Sequence, residues 1–165
     1  MQHDWSSFKL RVPTKADKAS IYQAWTTQNN LEGWFLRKAA FTKGGGKERD
    51  RNSPIEVNDT YEWLWYGYGD EVMEKGKIMQ ANGKDFLQFS FGKAGNVSVT
   101  IKEEAGERII ELVQNEIPTD ESGQVNYHLG CSKGWLFYLA NLKSILEGGI
   151  DLRNKKMELT DVINS

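Results

Sequence analysis

The sequence has almost no cysteine or histidine, no long apolar run and little net charge, and each shortage excludes a class of function. Cys131 is the one cysteine in 165 residues, so no intramolecular disulfide can form. His3 and His128 are the only histidines. A transition-metal centre needs three or four converging ligands, and no Cys or His pair here has ligand spacing, so neither a metal nor a cofactor is expected. No stretch approaches the roughly 20 apolar residues of a spanning helix. Residues 1–5 are too polar for a signal peptide. The expectation is a cytoplasmic protein without a membrane span. With 21 basic and 23 acidic residues the formal net charge is -2, which offers nucleic acid no particular attraction. Gly67-Tyr68-Gly69 and Gly44-Gly45-Gly46-Lys47 resemble phosphate loops, but neither completes its motif or leads into a helix N-terminus that could hold an anion.

Aromatic residues are abundant instead: 6 Trp, 6 Tyr and 7 Phe, or 12% of the chain. Their spacing is largely that of strands. Phe8-Lys9-Leu10-Arg11-Val12 alternates apolar and polar, as a half-buried strand does. Pro13 is expected to end it and Thr14 to cap a helix running to about Thr26, with Ile21, Ala24 and Trp25 on one face. Asn29-Asn30 should break that helix, and residues 31–35 should form one more short turn. Residues 37–42 suit a short strand. Residues 43–51, with three glycines among mixed charges, read as a mobile, solvated loop.

From Asp59 to about Ile117 the pattern is a meander of short strands joined by tight turns, which implies an antiparallel sheet. Tyr61, Trp63 and Trp65 share one face, as do Leu87, Phe89 and Phe91. Asn82-Gly83 is a hairpin signal. Val97, Val99 and Ile101 alternate with polar residues. Beyond Pro118 the pattern becomes helical to Glu147, with an apolar stripe of Cys131, Trp135, Tyr138, Leu142 and Ile145. Gly148-Gly149 should stop that helix. The fold class is α+β: a curved antiparallel sheet around a long C-terminal helix, with two short helices after the first strand. One domain is expected over residues 1–153, with a flexible tail over 154–165.

No catalytic residue is assigned. His128 and Cys131 stand three apart on a helix, but a cysteine on an apolar stripe is ordinarily inert. Glu111 lies mid-strand and most simply points to solvent; if buried, it would need a partner. The aromatics admit two readings. They can form a solid core between sheet and helix, or a core with a cavity, because a bent sheet cannot meet one helix everywhere. Gly130 and Gly134 thin the side-chain cover of the helix, which fits either close backbone approach or room for a ligand. The second reading makes the protein a binder of a hydrophobic or aromatic small molecule.

Several segments carry a family resemblance: Ala24-Trp25-Thr26, Trp34-Phe35, Tyr61-Glu62-Trp63, Gly76-Lys77-Ile78 and residues 87–91. Together they resemble the START-like, or SRPBCC, superfamily. Gly134-Trp135, Asn141-Leu142-Lys143 and Asp151-Leu152-Arg153 are similar to its branch homologous to the activator of Hsp90 ATPase. The resemblance spans residues 8–153. It implies the helix-grip fold, and a hydrophobic ligand or lipid held between sheet and helix. The cavity wall it implies is Trp34, Phe35, Tyr61, Trp63, Trp65, Phe89, Phe91, Cys131, Trp135, Tyr138 and Leu142. It also implies two alternatives. One is a co-chaperone-like partner of an Hsp90-type ATPase, with a role in the stress response, although the eukaryotic activator's N-terminal chaperone-binding domain has no counterpart in these residues. The other is an enzyme of the cyclase or hydrolase kind, which would need a buried Glu111 or His128 facing the cavity.

Overall fold

The computed structural model describes residues 3–159, 162 and 163. Seven strands form one antiparallel sheet in the order β1-β7-β6-β5-β4-β3-β2. They are β1 (Phe8–Thr14), β2 (Lys38–Thr42), β3 (Thr60–Leu64), β4 (Glu74–Ala81), β5 (Phe86–Ser90), β6 (Asn96–Glu104) and β7 (Glu107–Asn115). Two short helices, α1 (Lys18–Thr26) and α2 (Gln28–Trp34), follow β1, and the long α3 (Gly130–Leu146) follows β7. The expected α+β helix grip is present. A register shift between Ile78 and Gln80 interrupts the β4–β5 ladder. Such an irregularity sharpens the local bend of a sheet, which helps it curve around α3.

Alternation decides which residues enter the core. Tyr61 and Trp63 of β3, Ile78 of β4, Leu87 and Phe89 of β5, Val97, Val99 and Ile101 of β6, and Ile110 and Leu112 of β7 are all buried. They join Trp135, Tyr138, Leu139 and Leu142 of α3 and Trp25 and Trp34 of α1 and α2 in one cluster. Burying each aromatic side chain removes on the order of 150–250 Å² from water, so this layer dominates the apolar stabilisation.

Several boundaries differ from the sequence expectation for identifiable reasons. Pro13 does not end β1; it pairs with Ile109. β1 is an edge strand, where a residue without an N–H can be accommodated. The cap of α1 is Asp17, whose side chain accepts from the Ser20 amide at 2.9 Å, while Thr14 is buried at the strand end. The break between the helices falls at the extended Thr27 rather than at Asn29-Asn30, which lie inside α2. Thr27 closes α1 and caps α2 through its hydroxyl, which accepts from the Asn30 amide at 3.3 Å. Trp65 lies just past the end of β3 and is half-buried.

The segment 43–51 is not uniformly solvated. Arg49 is 5% exposed and Asp59 2%, and they form a two-pronged ion pair at 2.5 and 2.9 Å. The Arg49 amide also bonds the Phe41 carbonyl, extending the β2 edge.

At the other end of the chain, Gly123–Leu129 forms a π-helical stretch leading into α3. Gly123 is dictated by contact: a Cβ there would stand 1.9 Å from the Pro118 carbonyl oxygen. Gly148, at φ +79°, supplies the expected left-handed stop. Beyond it, Asn141 and Arg153 fasten the chain. Asn141 donates to the Trp34 carbonyl at 2.7 Å and accepts from the Leu152 amide at 2.7 Å. The Arg153 guanidinium reaches the Leu36 and Glu32 carbonyls, both at 3.0 Å, and forks onto Asp151. Burial works to raise the Asp151 carboxyl, but the bonds from Arg153 and Lys155 outweigh it and hold the group well below the usual carboxylate range. Of the expected tail, residues 160, 161, 164 and 165 lie outside the described residues. Among the described residues no helix is long and apolar enough to cross a membrane.

Candidate functional site

Between the open end of the sheet and the first half of α3 lies a cavity of about 630 Å³. Phe35, from the residue after α2, is its hinge. It stacks on Trp135 at 4.9 Å between centroids and meets Tyr138 edge-on at 4.9 Å and Trp65 edge-on at 5.7 Å. Phe91, just past β5, packs on Trp135 at 5.7 Å. Cys131, Lys133, Gly134, Phe137 and Tyr138 line the α3 side together with Gly130, and Asn126 adds a contribution from the π-helical stretch. The mouth is formed by Tyr68 and Val72 of the β3–β4 turn and by Val162 and Ile163. Tyr68, Val72 and Ile163 are exposed.

The residues proposed as a wall divide into two groups. Phe35, Trp65, Phe91, Cys131, Trp135 and Tyr138 meet around the cavity. Trp34, Tyr61, Trp63, Phe89 and Leu142 do not line it; each is at most 2% exposed and packs deeper in the core. Tyr61 and Trp63 stack on each other at 3.8 Å, and Trp63 meets Phe89 edge-on at 5.2 Å, which fills that end of the layer.

The helix glycines explain why space remains. A Cβ on Gly134 would meet nothing within 4 Å, and one on Gly130 only the Val125 carbonyl oxygen at 3.7 Å. Neither glycine is required by close packing. Each costs about 1 kcal/mol against alanine in a helix interior. What they leave is room. The loop 43–51 contributes no residue to this wall; the rim belongs to the β3–β4 turn.

Polar groups set the wall's chemistry. Trp135 is held by a buried glutamine: its indole N–H donates to Gln114 Oε1 at 2.9 Å, and Gln114 donates to the Ala94 carbonyl at 2.8 Å. Burial pushes the Cys131 thiol up, against a weaker opposing bond to Gln114, so it stays a neutral thiol rather than a nucleophile. Burial likewise raises the Tyr138 hydroxyl.

The two groups that a catalytic reading required are elsewhere. His128 is buried, but its Nδ1 lies 3.0 Å from the Trp5 carbonyl and its Nε2 3.1 Å from His3 Nε2, among Trp5 and Phe8. Glu111 sits on the sheet face opposite Ile110 and Leu112. It does not stand free in solvent: it is 8% exposed beneath Lys102, at 2.7 Å, and Arg11, at 3.2 Å. The Lys102 hydrogen bond holds its carboxyl below the ordinary value. Among the described residues no three His, Cys, Asp or Glu side chains converge on a metal position.

Sequence reasoning missed Gln114, Phe137, Tyr68 and Lys133, and it missed Glu74 beside the wall. Glu74 was legible in principle. It is in phase with Gly76 and Ile78 on β4, and Ile78 is buried.

The family model of Activator of Hsp90 ATPase homolog 1-like proteins matches residues 15–147. No curated protein is found to match the chain. Among solved structures, the chain is similar to the Aha1 dimer from Colwellia psychrerythraea, with 17% identity, a TM-score of 0.65, and 87% of this chain and 97% of that chain covered. It is similar to the protein SSP2350 from Staphylococcus saprophyticus, with 16% identity, a TM-score of 0.67, and coverage of 89% and 96%. It is also similar to DynU16 of the dynemicin biosynthetic locus, with 17% identity and a TM-score of 0.67, over 91% of this chain and 50% of that one.

Proposed function

The chain belongs to the family of Activator of Hsp90 ATPase homolog 1-like proteins, within the START-like superfamily, and on that premise we propose that it binds an apolar or aromatic small molecule or lipid in its sheet–helix cavity without chemically changing it. The observation that carries this reading is the wall itself: Phe35, Trp65, Phe91, Trp135 and Tyr138 surround about 630 Å³, within the range of small-molecule pockets. Two glycines on α3 keep that space free although nothing packs against them. A neutral thiol, and a Glu111 and His128 placed elsewhere, support binding over catalysis. A cytoplasmic location is part of the proposal and rests on the lone cysteine.

The test is native mass spectrometry of gently purified protein, followed by a screen of apolar compounds read by tryptophan fluorescence. Retained mass or saturable quenching is expected in the natural protein. Gly134→Phe, which projects a ring into the cavity, should abolish both while leaving the fold intact. Equal binding by the two proteins, or none by either, would sink the reading.

The co-chaperone alternative, and the stress-response role that goes with it, rest on the family and on the likeness to the Colwellia Aha1 dimer. An unchanged Hsp90-type ATPase rate at saturating protein would exclude it.

A further inference from the structure

Beside the aromatic wall stands one carboxylate to which the binding reading assigns no role. Glu74 opens β4 directly opposite Trp63 of β3. Trp63 is buried in the core, so the paired position puts Glu74 on the same, concave side of the sheet. The neighbouring chain makes way for its carboxyl group. A Cβ on Gly92, which follows the wall residue Phe91, would lie 2.5 Å from Glu74 Oε1.

The carboxylate lacks a cation. Among the described residues no lysine, arginine or histidine pairs with it. The ammonium of the adjacent Lys75 turns away to Glu62, at 2.7 Å. The Trp63 indole N–H, on the paired residue, is buried with no hydrogen-bond partner. Burial raises the Cys131 thiol in the wall and the Tyr61 hydroxyl, and the Glu74 charge adds a smaller push in the same direction to both. Burial in turn raises the Glu74 carboxyl above its ordinary value.

Glu74 is not itself a lining residue of the cavity; its half-buried carboxylate, without a cation, lies against Gly92 next to the wall residue Phe91, and that position matches one ligand chemistry. Ammonium groups are drawn both to carboxylates and to aromatic faces, and both attractions strengthen out of water. We propose that the cavity selects an apolar molecule bearing a basic amine, with Glu74 as the anchor of the ammonium group and the aromatic wall holding the apolar body. This rests on the binding reading and names its ligand class. The opposing group is Lys133, an exposed ammonium on the same wall, which would favour an anion instead.

Octylamine, octan-1-ol and octanoate share one apolar chain and differ in the head group. Their affinities for the natural protein and for Glu74→Gln are to be measured by isothermal titration near neutral pH. Octylamine is expected to bind at least about tenfold more tightly than octanoate, with octanol between them. Glu74→Gln should bring the amine and alcohol affinities together and leave the alcohol unchanged. The glutamine variant is expected to melt no lower than the natural protein, because it removes a charge that has no partner. Equal affinities, or an amine preference that survives Glu74→Gln, would overturn the anchor while leaving the binding cavity standing. Tighter octanoate would assign selection to Lys133 and overturn it as well. If none of the three binds the natural protein, the binding reading falls together with this one.

Discussion

The two halves of α3 are covered to different degrees. Its second half presents Leu139, Asn141 and Leu142, all at most 2% exposed, and closes against Trp34 and the core. Its first half presents Gly130, Cys131 and Gly134 beside Trp135 and Tyr138, and a cavity remains there. The sheet still supplies bulky rings to the open half: Trp65 and Phe91 line the cavity, and Phe89 lies 6.4 Å from Trp135 between centroids. The missing side chains at Gly130 and Gly134 therefore leave room in the open half even though Trp135 and Tyr138 stand beside them.

Mutations can break that contrast. The largest loss is expected at the Arg49–Asp59 clamp beside β2 and β3. Arg49→Ala leaves Asp59, 2% exposed, as a buried charge without its partner. A destabilisation of about 3–5 kcal/mol is expected in urea denaturation. Leu142→Ala, at a fully buried site, should cost about 2–5 kcal/mol in the same assay, whereas Cys131→Ala at the open wall should cost less than about 1 kcal/mol. Comparable losses at the two sites would mean that the open half is packed after all.

Gly134→Ala should move the other way. It adds a methyl group into empty space in a helix and is expected to gain up to about 1 kcal/mol. A loss would show that the glycine is needed by the backbone.

Glu74→Gln sharpens the comparison least in energy but most in sign. Burial raises the Glu74 carboxyl, so the folded state holds its proton more tightly than the unfolded state does. That group's contribution to stability is full below its unfolded value and is lost as pH rises through the raised folded value. The glutamine variant should therefore melt slightly higher than the natural protein at neutral pH, and the difference should vanish in acid. Thermal melts across that range provide the check.

Much of this architecture was legible in the order of residues. Period-two runs located β1, β3, β5 and β6, the turn signals between them marked an antiparallel meander, and the stripe from Cys131 to Ile145 located α3. The errors came where a local rule met a tertiary exception. Pro13 reads as a stop, yet an edge strand accommodates it. Asn29-Asn30 reads as a break, yet Thr27, capping one helix while closing another, takes that role. Arg49 reads as solvated among glycines and charges, yet its partner Asp59 lies ten residues on, in another segment. Of the proposed wall, six residues surround the cavity and five lie deeper, because strand phase shows which face a ring is on and not how far along the groove the cover reaches.

Sequence alone determined the opposed aromatic faces of sheet and helix, because alternation and helical period are local properties of the chain. It also carried the thin cover at Gly130 and Gly134. Tertiary structure decided what that thinness means. Only the bend of the sheet, the seating of α3 and the empty space around Gly134 separate a cavity from a close backbone contact. Only strand register brings Glu74 opposite Trp63 beside the wall. Those outcomes depend on distances between segments far apart in sequence, which no local period encodes.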